Sequence, residues 1–280
     1  MIRSEARVAE YSAYFVSIFK NSLKNKKIVV DGANGGGSFL APQILRALGA
    51  EVRTVFCDGI GIKINEGCGA THPETLKSAV KAGEIGISLD GDGDRCIAVS
   101  DGEIFDGDDQ LYVAALDLKR RKKLSGNIVV GTLMTNMGLE KCLETHGIGL
   151  ERVNVGDKYI SRRMTEKGYR LGGETSGHLI FPDVMPTGDG LLSGIIFTLA
   201  EERPRFTPYV QAHSDFKTDD NGRAKFLKLS PQIWATEMGR TVVRLSGTEG
   251  KVRVMAECPD GETAGKLANE IAEKIKAAIK

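Results

Sequence analysis

The predicted elements of this chain follow the same order twice, and this repetition limits the possible folds more than any other feature of the sequence. A short β-branched strand, Lys27–Val30, is followed by a glycine-rich segment, an apolar helix and a second strand. The same order begins again about a hundred residues later, at Asn127–Val130. Because strand, helix and strand in succession form a βαβ unit, we predict two copies of one mixed α/β three-layer domain.

Each copy then continues through a helix into a strand, a polar glycine-rich loop and a returning strand. The strand, loop and returning strand are predicted at 85–89, 90–95 and 96–99 in the first copy and at 169–171, 172–178 and 179–181 in the second. The two loops therefore lie at equivalent strand ends. The earlier segment 31–37 completes neither a P-loop nor G-x-G-x-x-G, so its glycines are interpreted as permitting close strand-to-helix packing.

Two further segments complete the predicted organisation. Near the N-terminus, apolar residues at helical spacing predict an amphipathic helix that docks on the rest of the chain: Val8, Tyr11, Phe15, Ile18 and Phe19. After about Pro204, two strand-like segments and a closing helix with one apolar face predict a smaller α+β domain. The predicted domains are 1–104, 105–208 and 209–280.

The overall charge and the cysteines exclude several classes of protein. Lys and Arg (38) nearly balance Asp and Glu (37), and the net charge of +1 gives no global field for nucleic acid or an anionic membrane. The five cysteines are odd in number and form no C-x-x-C pair, so we expect no disulfide framework, no zinc site and a reducing, cytoplasmic location. The N-terminal segment lacks the pattern of a secretory signal, and no apolar run approaches the length of a membrane span.

Three aspartates alternate with glycines in the first loop. Asp90, Asp92 and Asp94 can crowd together there, and their mutual repulsion is costly unless a cation lies between them. Ligands that are all oxygen favour Mg²⁺ or Ca²⁺ over zinc. An EF-hand is excluded because its sixth position, which requires Gly, is Arg95, and strands flank the loop. The loop therefore predicts a hard-cation site, with a solvated Asp-Gly turn as the alternative.

Two other loops carry groups suited to a phosphorylated sugar. Glu174, Ser176 and His178 offer a carboxylate, a hydroxyl and an imidazole in one tight loop, which suits recognition of a polyol or acid–base chemistry. In the segment Arg244–Arg253, arginines bracket two hydroxyls and flexible backbone N–H groups, which together can enclose a phosphate. Each loop alone is also explained as a polar hairpin, but both together with a metal loop indicate a phosphorylated substrate.

The three loops in this order, DGDGDR, GETSGH and RLSGTEGKVRV, resemble the α-D-phosphohexomutase family. One such loop carries little information, whereas all three with matching spacing are highly specific. The resemblance extends from about Val8 to the C-terminal helix and corresponds to the second, third and fourth domains of that family. The segments VNVGDKYI and MPTGDGLLSG are most similar to its amino-sugar branch.

This resemblance implies Mg²⁺ as the cofactor and a role for each loop. The residues implied to hold Mg²⁺ are Asp90, Asp92 and Asp94. Those implied to lie at the reacting centre are Arg95, beside the transferring phosphoryl group, and His178. Those implied to bind the sugar or its non-reacting phosphate are Lys158, Glu174, Ser176, Arg244, Ser246, Gly247, Thr248 and Arg253.

One departure from the family pattern limits the expected activity. Family members carry a first domain whose Ser-His-Asn-Pro loop supplies the serine that exchanges phosphate with the sugar, and no serine here is followed by His-Asn. We therefore expect a phosphohexose mutase-type protein, for 6-phosphate to 1-phosphate interconversion of a hexose or hexosamine, that lacks its nucleophile domain and does not turn over alone. The alternatives are a non-catalytic phosphosugar-binding protein and an aspartate-dependent phosphatase, although the other two loops do not fit the latter. The expected partners are a hexose or hexosamine phosphate and a separate domain that supplies the phosphoserine, with no nucleic acid and no membrane.

Overall fold

The first repeat contains a five-stranded sheet of mixed direction. In the computed structural model, which describes residues 5–59, 61–229, 233–236, 239–246 and 249–279, its strands are β1 (Lys27–Asp31), β2 (Glu51–Val55), β3 (Ile85–Leu89), β4 (Cys96–Ser100) and β5 (Glu103–Phe105). The sheet order is β2-β1-β3-β4-β5, with β1 parallel to β2 and β3 and with β4 and β5 antiparallel to their neighbours. Every residue of β3 and β4 is buried, which is typical of a sheet covered on both faces.

The second repeat forms a four-stranded sheet with the same strand order. Its strands are β6 (Ile128–Thr132), β7 (Gly149–Val153), β8 (Gly172–Gly173) and β9 (Leu179–Ile180). The order β7-β6-β8-β9 corresponds to β2-β1-β3-β4, again with three parallel strands and an antiparallel last pair. The predicted pair of mixed α/β repeats is confirmed.

Helices connect these strands. Their bounds are α1 (Glu5–Phe19), α2 (Gly37–Ala47), α3 (Pro73–Ala79), α4 (Gly107–Arg120), α5 (Met137–Thr145), α6 (Asp157–Lys167) and α7 (Gly190–Leu199). A capping box begins α4, because the side chains of Asp106 and Asp109 each accept a backbone N–H from the other residue. This helix follows directly on β5.

One strand lies later in the sequence than predicted. The strand before the second loop was expected at 169–171, whereas β8 consists of Gly172 and Gly173. A Cβ atom at Gly172 would lie 2.7 Å from side-chain atoms of Ile160 and Met164 in α6. The helix therefore packs directly on the strand backbone, which only glycine allows, and strand propensity does not reveal such a contact.

Residue contacts divide the chain into two units. The first comprises Met1–Thr135 and Leu143–Arg205, and the second comprises Asn136–Cys142 and Phe206–Lys280. Both repeated sheets fall in the first unit. The predicted boundary between residues 104 and 105 therefore stays a prediction.

The second unit contains an antiparallel sheet packed on a long helix. Its elements are β10 (Val210–His213), β11 (Phe216–Lys217), α8 (Asp220–Phe226), β12 (Ile233–Thr236), β13 (Gly239–Leu245), β14 (Lys251–Cys258) and α9 (Gly261–Ile279). The order is β10-β14-β13-β12, and β11 also pairs with β14. Val243, Val254 and Ile275 belong to its core, so the predicted smaller α+β fold is confirmed. Within the described residues of both units, no helix is long and apolar enough to cross a lipid bilayer.

The N-terminal helix α1 docks through a single fully buried side chain. Phe15 is 0% exposed and packs its ring near those of Tyr11 and Phe19, at centroid distances of 4.7 and 6.1 Å. Ile18, which the helical pattern also placed on the docking face, is 42% exposed. The predicted amphipathic helix is therefore present, with a narrower buried face than expected.

Phe15→Ala is expected to lower the free energy of unfolding by about 3–5 kcal/mol, because it removes a buried aromatic side chain and leaves a cavity. Ile18→Ala is the matched control in the same helix, and its effect is expected to stay within about 0.5 kcal/mol. Urea unfolding monitored by circular dichroism measures both. Equal losses for the two variants would show that α1 does not dock through Phe15.

Candidate functional site

The aspartate loop brings three carboxylates together between β3 and β4. Asp90, Asp92 and Asp94 each offer one oxygen, and these oxygens lie within 4.8 Å of one another. Asp90 is buried, Asp92 is exposed and Asp94 is half-buried. The loop is thus open to solvent on one side and anchored in the protein on the other.

Hydrogen bonds to the backbone fix the shape of this loop. Asp90 Oδ1 accepts the N–H groups of Gly93 and Arg95, at 3.1 and 3.2 Å. The carbonyl of Gly91 accepts the N–H of Gly36 at 2.9 Å, and a Cβ at Gly35 would lie 2.2 Å from that carbonyl oxygen. The glycine-rich segment before α2 therefore supports the aspartate loop, a contact that strand-to-helix packing alone did not predict.

Burial, together with the charges in the loop, raises the pKa of Asp90 to about 6. Burial of the carboxyl group is the largest cause, the N–H of Arg95 opposes it, and the charges of Asp94 and Asp92 raise the pKa further. Asp94 Oδ1 is a buried oxygen that accepts no hydrogen bond from any described residue. Crowded carboxylates and an unsatisfied buried oxygen fit a hard divalent cation, which relieves the repulsion and supplies the missing contact.

The second loop lies directly against the aspartate loop. The imidazole Nδ1 of His178 is 3.1 Å from Asp94 Oδ2. The N–H of Cys96 donates to the carbonyl of Gly177 at 3.0 Å, and the N–H of Gly107 donates to Thr175 at 3.0 Å. The equivalent strand ends of the two repeats thus meet at one place, a contact that the repeat pattern alone did not predict.

The other sequence-predicted residues of the first unit lie on the second loop and at the start of α6. Glu174 is half-buried, and its Oε1 accepts the N–H of Gly156 at 2.9 Å. This bond ties the second loop to the turn that precedes α6, where Lys158 is exposed. Ser176 is exposed as well. Both exposed groups are accessible to a ligand, and their roles in binding one stay predictions.

The predicted phosphate loop lies between β13 and β14 in the second unit. Arg244 and Arg253 are register partners on these strands. Ser246 is buried, and its Oγ accepts the N–H of Glu249 at 3.2 Å. Arg253 Nη2 lies 3.2 Å from Glu249 Oε2, and neighbouring Lys251 and Arg253 lower the pKa of Glu249. The predicted residues Gly247 and Thr248 lie outside the described residues.

A pocket of about 320 Å³ beside the aspartate loop contains two residues that sequence reasoning did not assign to the site. The hydroxyl of Tyr11 donates to Asp189 Oδ2 at 2.8 Å, and Asp189 Oδ1 accepts the N–H of Leu192 as the N-cap of α7. Burial raises the pKa of both Tyr11 and Asp189. The position of Asp189 just before an apolar helix was a sequence signal for its role as the N-cap. No sequence signal indicated its hydrogen bond with Tyr11, which lies 178 residues away.

The family of the chain follows from its similarity to known sequences. Residues 106–204 match the family phosphoglucomutase/phosphomannomutase, alpha/beta/alpha domain III, and residues 235–274 match the C-terminal domain of the same family. A phosphoglucosamine mutase of Staphylococcus epidermidis is 39% identical over 95% of this chain and 63% of its own length. One from Symbiobacterium thermophilum is 39% identical over 99% of this chain and 66% of its own length.

The chain belongs to the α-D-phosphohexomutase family. It spans about two thirds or less of the length of the relatives that it matches, and it covers 63% of the S. epidermidis protein.

Solved structures show the same phosphohexomutase fold. A phosphoglucomutase/phosphomannomutase family protein from Burkholderia thailandensis superimposes with a TM-score of 0.77 at 24% identity, over 97% of this chain and 64% of that one. N-acetylphosphoglucosamine mutase of Aspergillus fumigatus, in complex with GlcNAc-6P and magnesium, gives 0.71 at 20% identity, over 96% of this chain and 70% of that one.

Asp90→Asn is expected to stabilise the protein at pH 8 in the presence of a chelator, by on the order of 1 kcal/mol. Folding raises the pKa of Asp90 to about 6, so the folded wild type binds this proton more tightly than the unfolded chain. The resulting stability is fully present below about pH 4 and is lost as the pH rises through about 6. The Asn amide keeps an oxygen that accepts the two backbone N–H groups, and it does not ionise in this pH range.

Urea unfolding at several pH values between about 4 and 8 measures this difference between variant and wild type. Asp58→Asn, at an exposed position that follows β2, two strands from β3 in the sheet, controls for the simple loss of a negative charge. A stability difference for Asp90→Asn that does not change with pH would contradict the raised pKa.

Proposed function

We propose that this chain provides the cation-binding and sugar-phosphate-binding part of a phosphohexomutase that interconverts the 6-phosphate and 1-phosphate of a hexosamine. The observation that carries this proposal is the meeting of the two loops at Asp94 and His178 in a chain that is 39% identical to phosphoglucosamine mutases. We assign the chain three domains with the boundaries predicted above, and a cytoplasmic location, which its five free thiols support.

Mg²⁺ is the proposed cofactor. The residues that would hold it are Asp90, Asp92 and Asp94, whose oxygen ligands suit a hard cation. When bound, the ion would neutralise charge on a transferring phosphoryl group. Arg95 is the second source of positive charge, because its Nε lies 3.6 Å from Asp90 and 3.8 Å from Asp94 while its side chain is 44% exposed. The guanidinium is thus attracted to the loop and remains accessible to a phosphoryl oxygen.

The remaining predicted residues are proposed to hold the sugar and its non-reacting phosphate. Glu174 and Ser176 would contact sugar hydroxyls, with Lys158 as a further substrate contact. The phosphate would be bound by Arg244, Ser246, Gly247, Thr248 and Arg253. Positioning and charge neutralisation are the main requirements of phosphoryl transfer, and these groups supply both. The serine that exchanges the phosphate is proposed to come from a polypeptide segment outside these 280 residues, since none here is followed by His-Asn.

Mg²⁺ is expected to raise the thermal unfolding midpoint, and to raise it more at pH 8 than at pH 5. A cation that binds only the folded state stabilises it, and at pH 5 it must displace the proton that Asp90 holds with a pKa of about 6. Differential scanning fluorimetry with and without the ion measures the effect. Asp92→Asn is expected to remove most of it and Asp58→Asn to leave it. An equal shift in the Asp92→Asn variant would exclude the aspartate loop as the site.

The proposed substrate class is tested by phosphorus NMR of the chain with Mg²⁺, glucosamine 1-phosphate and a trace of the 1,6-bisphosphate. We expect the substrate resonance to broaden without conversion, because no serine of this sequence is followed by His-Asn. Arg244→Ala is expected to weaken binding about 10-fold or more, as loss of a charged hydrogen bond costs about 1.5–3 kcal/mol. Lys266→Ala, exposed on α9, is the control for lost positive charge.

The outcomes of this experiment separate the possible functions. Appearance of the 6-phosphate would show a nucleophile within the chain and contradict its supply from outside. No broadening at all would contradict sugar-phosphate binding. If the chain binds the sugar phosphate but a separately produced phosphoserine domain does not restore turnover, the result would favour a non-catalytic phosphosugar-binding protein.

A further inference from the structure

The imidazole of His178 is buried and has one side-chain partner. Its side chain is 7% exposed, and Nδ1 lies 3.1 Å from Asp94 Oδ2. Because a carboxylate only accepts hydrogen bonds, Nδ1 carries the proton of this contact. Nε2 is buried and has no hydrogen-bond partner among the described residues.

The backbone at Gly188 covers the Nε2 edge of the ring. A Cβ atom at this position would lie 2.1 Å from Nε2, 2.3 Å from Cε1 and 2.6 Å from Cδ2 of His178. Glycine is therefore required here if the ring is to keep its place. The edge that a general acid or base would present to a ligand lies against the protein backbone.

We propose that His178 is a positioning residue for Asp94 and that Gly188 holds its ring in place. The Nδ1–H group fixes Asp94 Oδ2, which leaves the other oxygen, Oδ1, for the divalent cation. That oxygen is buried and accepts no hydrogen bond from a described residue, and Arg95 Nε, at 3.8 Å, lies beyond hydrogen-bonding distance. The carboxylate is therefore held with one oxygen hydrogen-bonded and the other not. This inference rests on the proposed cation site and assigns the imidazole a different task from proton transfer.

The surrounding backbone supports such a role. The N–H of Gly190 donates to the carbonyl of Gly93 at 2.9 Å, and a Cβ at Gly190 would lie 2.3 Å from the carbonyl oxygen of Arg95. The start of α7, which follows Gly188, is therefore fixed against the aspartate loop. The ring of His178 has little room to turn away from Asp94, and the second repeat thereby sets the geometry of a cation site in the first.

Mn²⁺ is the probe for this inference, because its free form is counted directly by electron paramagnetic resonance without any substrate or turnover. His178→Asn places an amide donor where Nδ1 stood, whereas His178→Gln places its amide near the position of Nε2. We expect Mn²⁺ to bind about 10-fold more weakly to His178→Ala and His178→Gln, as is typical when a group that orients a metal ligand is lost. His178→Asn is expected to retain most of the wild-type affinity.

Gly188→Ala tests the second part of the inference. It is expected to weaken Mn²⁺ binding as His178→Ala does, by displacing the ring, and to have no further effect in the His178→Ala background, where no ring remains to be displaced. Gly36→Ala is the matched control beside the same loop. A Cβ there meets only Gly91 O, at 3.9 Å, so unchanged affinity is expected.

The results distinguish this inference from the proposed function. If the folded wild type binds no Mn²⁺, both the cation site and the positioning role are wrong. If the wild type binds Mn²⁺ and the Asp92→Asn variant does not, the cation site stands. The positioning role alone is then overturned if His178→Gln binds Mn²⁺ as tightly as the wild type, or if His178→Asn binds it as weakly as His178→Ala. If the Gly188→Ala and His178→Ala double variant loses Mn²⁺ affinity by the sum of the two single effects on the binding free energy, the role of Gly188 is overturned. Circular dichroism and thermal unfolding of each variant confirm that the protein compared is folded.

Discussion

The close approach of two backbones at Gly177 is the constraint on which the candidate site of the first unit depends. Gly177 has a φ of +92°, and a Cβ there would lie 2.2 Å from the carbonyl oxygen of Cys96. Glycine alone satisfies both conditions without strain. With this contact in place, the N–H of Cys96 reaches the Gly177 carbonyl, and Asp94 and His178 come within hydrogen-bonding distance although 84 residues separate them.

Two aspartates of the first unit, the buried Asp31 and the half-buried Asp94, show how a structural carboxylate differs from one prepared for a ligand. Asp31, at the end of β1, accepts the N–H groups of Ala33 and Gly69 and the hydroxyl of Ser88, so both of its oxygens are satisfied within the protein. Asp94 has one oxygen on His178 and one that is unsatisfied. An unsatisfied buried oxygen lowers stability unless a ligand supplies the missing contact, which is typical of binding sites.

Short-range patterns predicted the elements well. The run Ile85–Leu89 is predicted and observed with the same bounds, because five consecutive apolar or small residues between polar loops leave few alternatives for a buried strand. The strand at Gly172–Gly173 was missed because its position depends on the packing of α6 against a bare backbone. In α1, the pattern marked Ile18 as buried, but how far a docking face extends depends on the partner surface.

The sequence by itself determined the two mixed repeats, the smaller α+β fold and the three loops that match the family, since each depends on residues close together in the chain. It also determined that the carboxylates of one loop must repel one another. Only the tertiary structure decided that Gly188 covers the His178 ring, that Tyr11 bonds to Asp189, and that one oxygen of Asp94 is left unsatisfied. The physical reason is that these contacts join residues far apart in the chain, whose approach is fixed by backbone packing at a few glycines, and neither hydrophobic periodicity nor charge reports such packing.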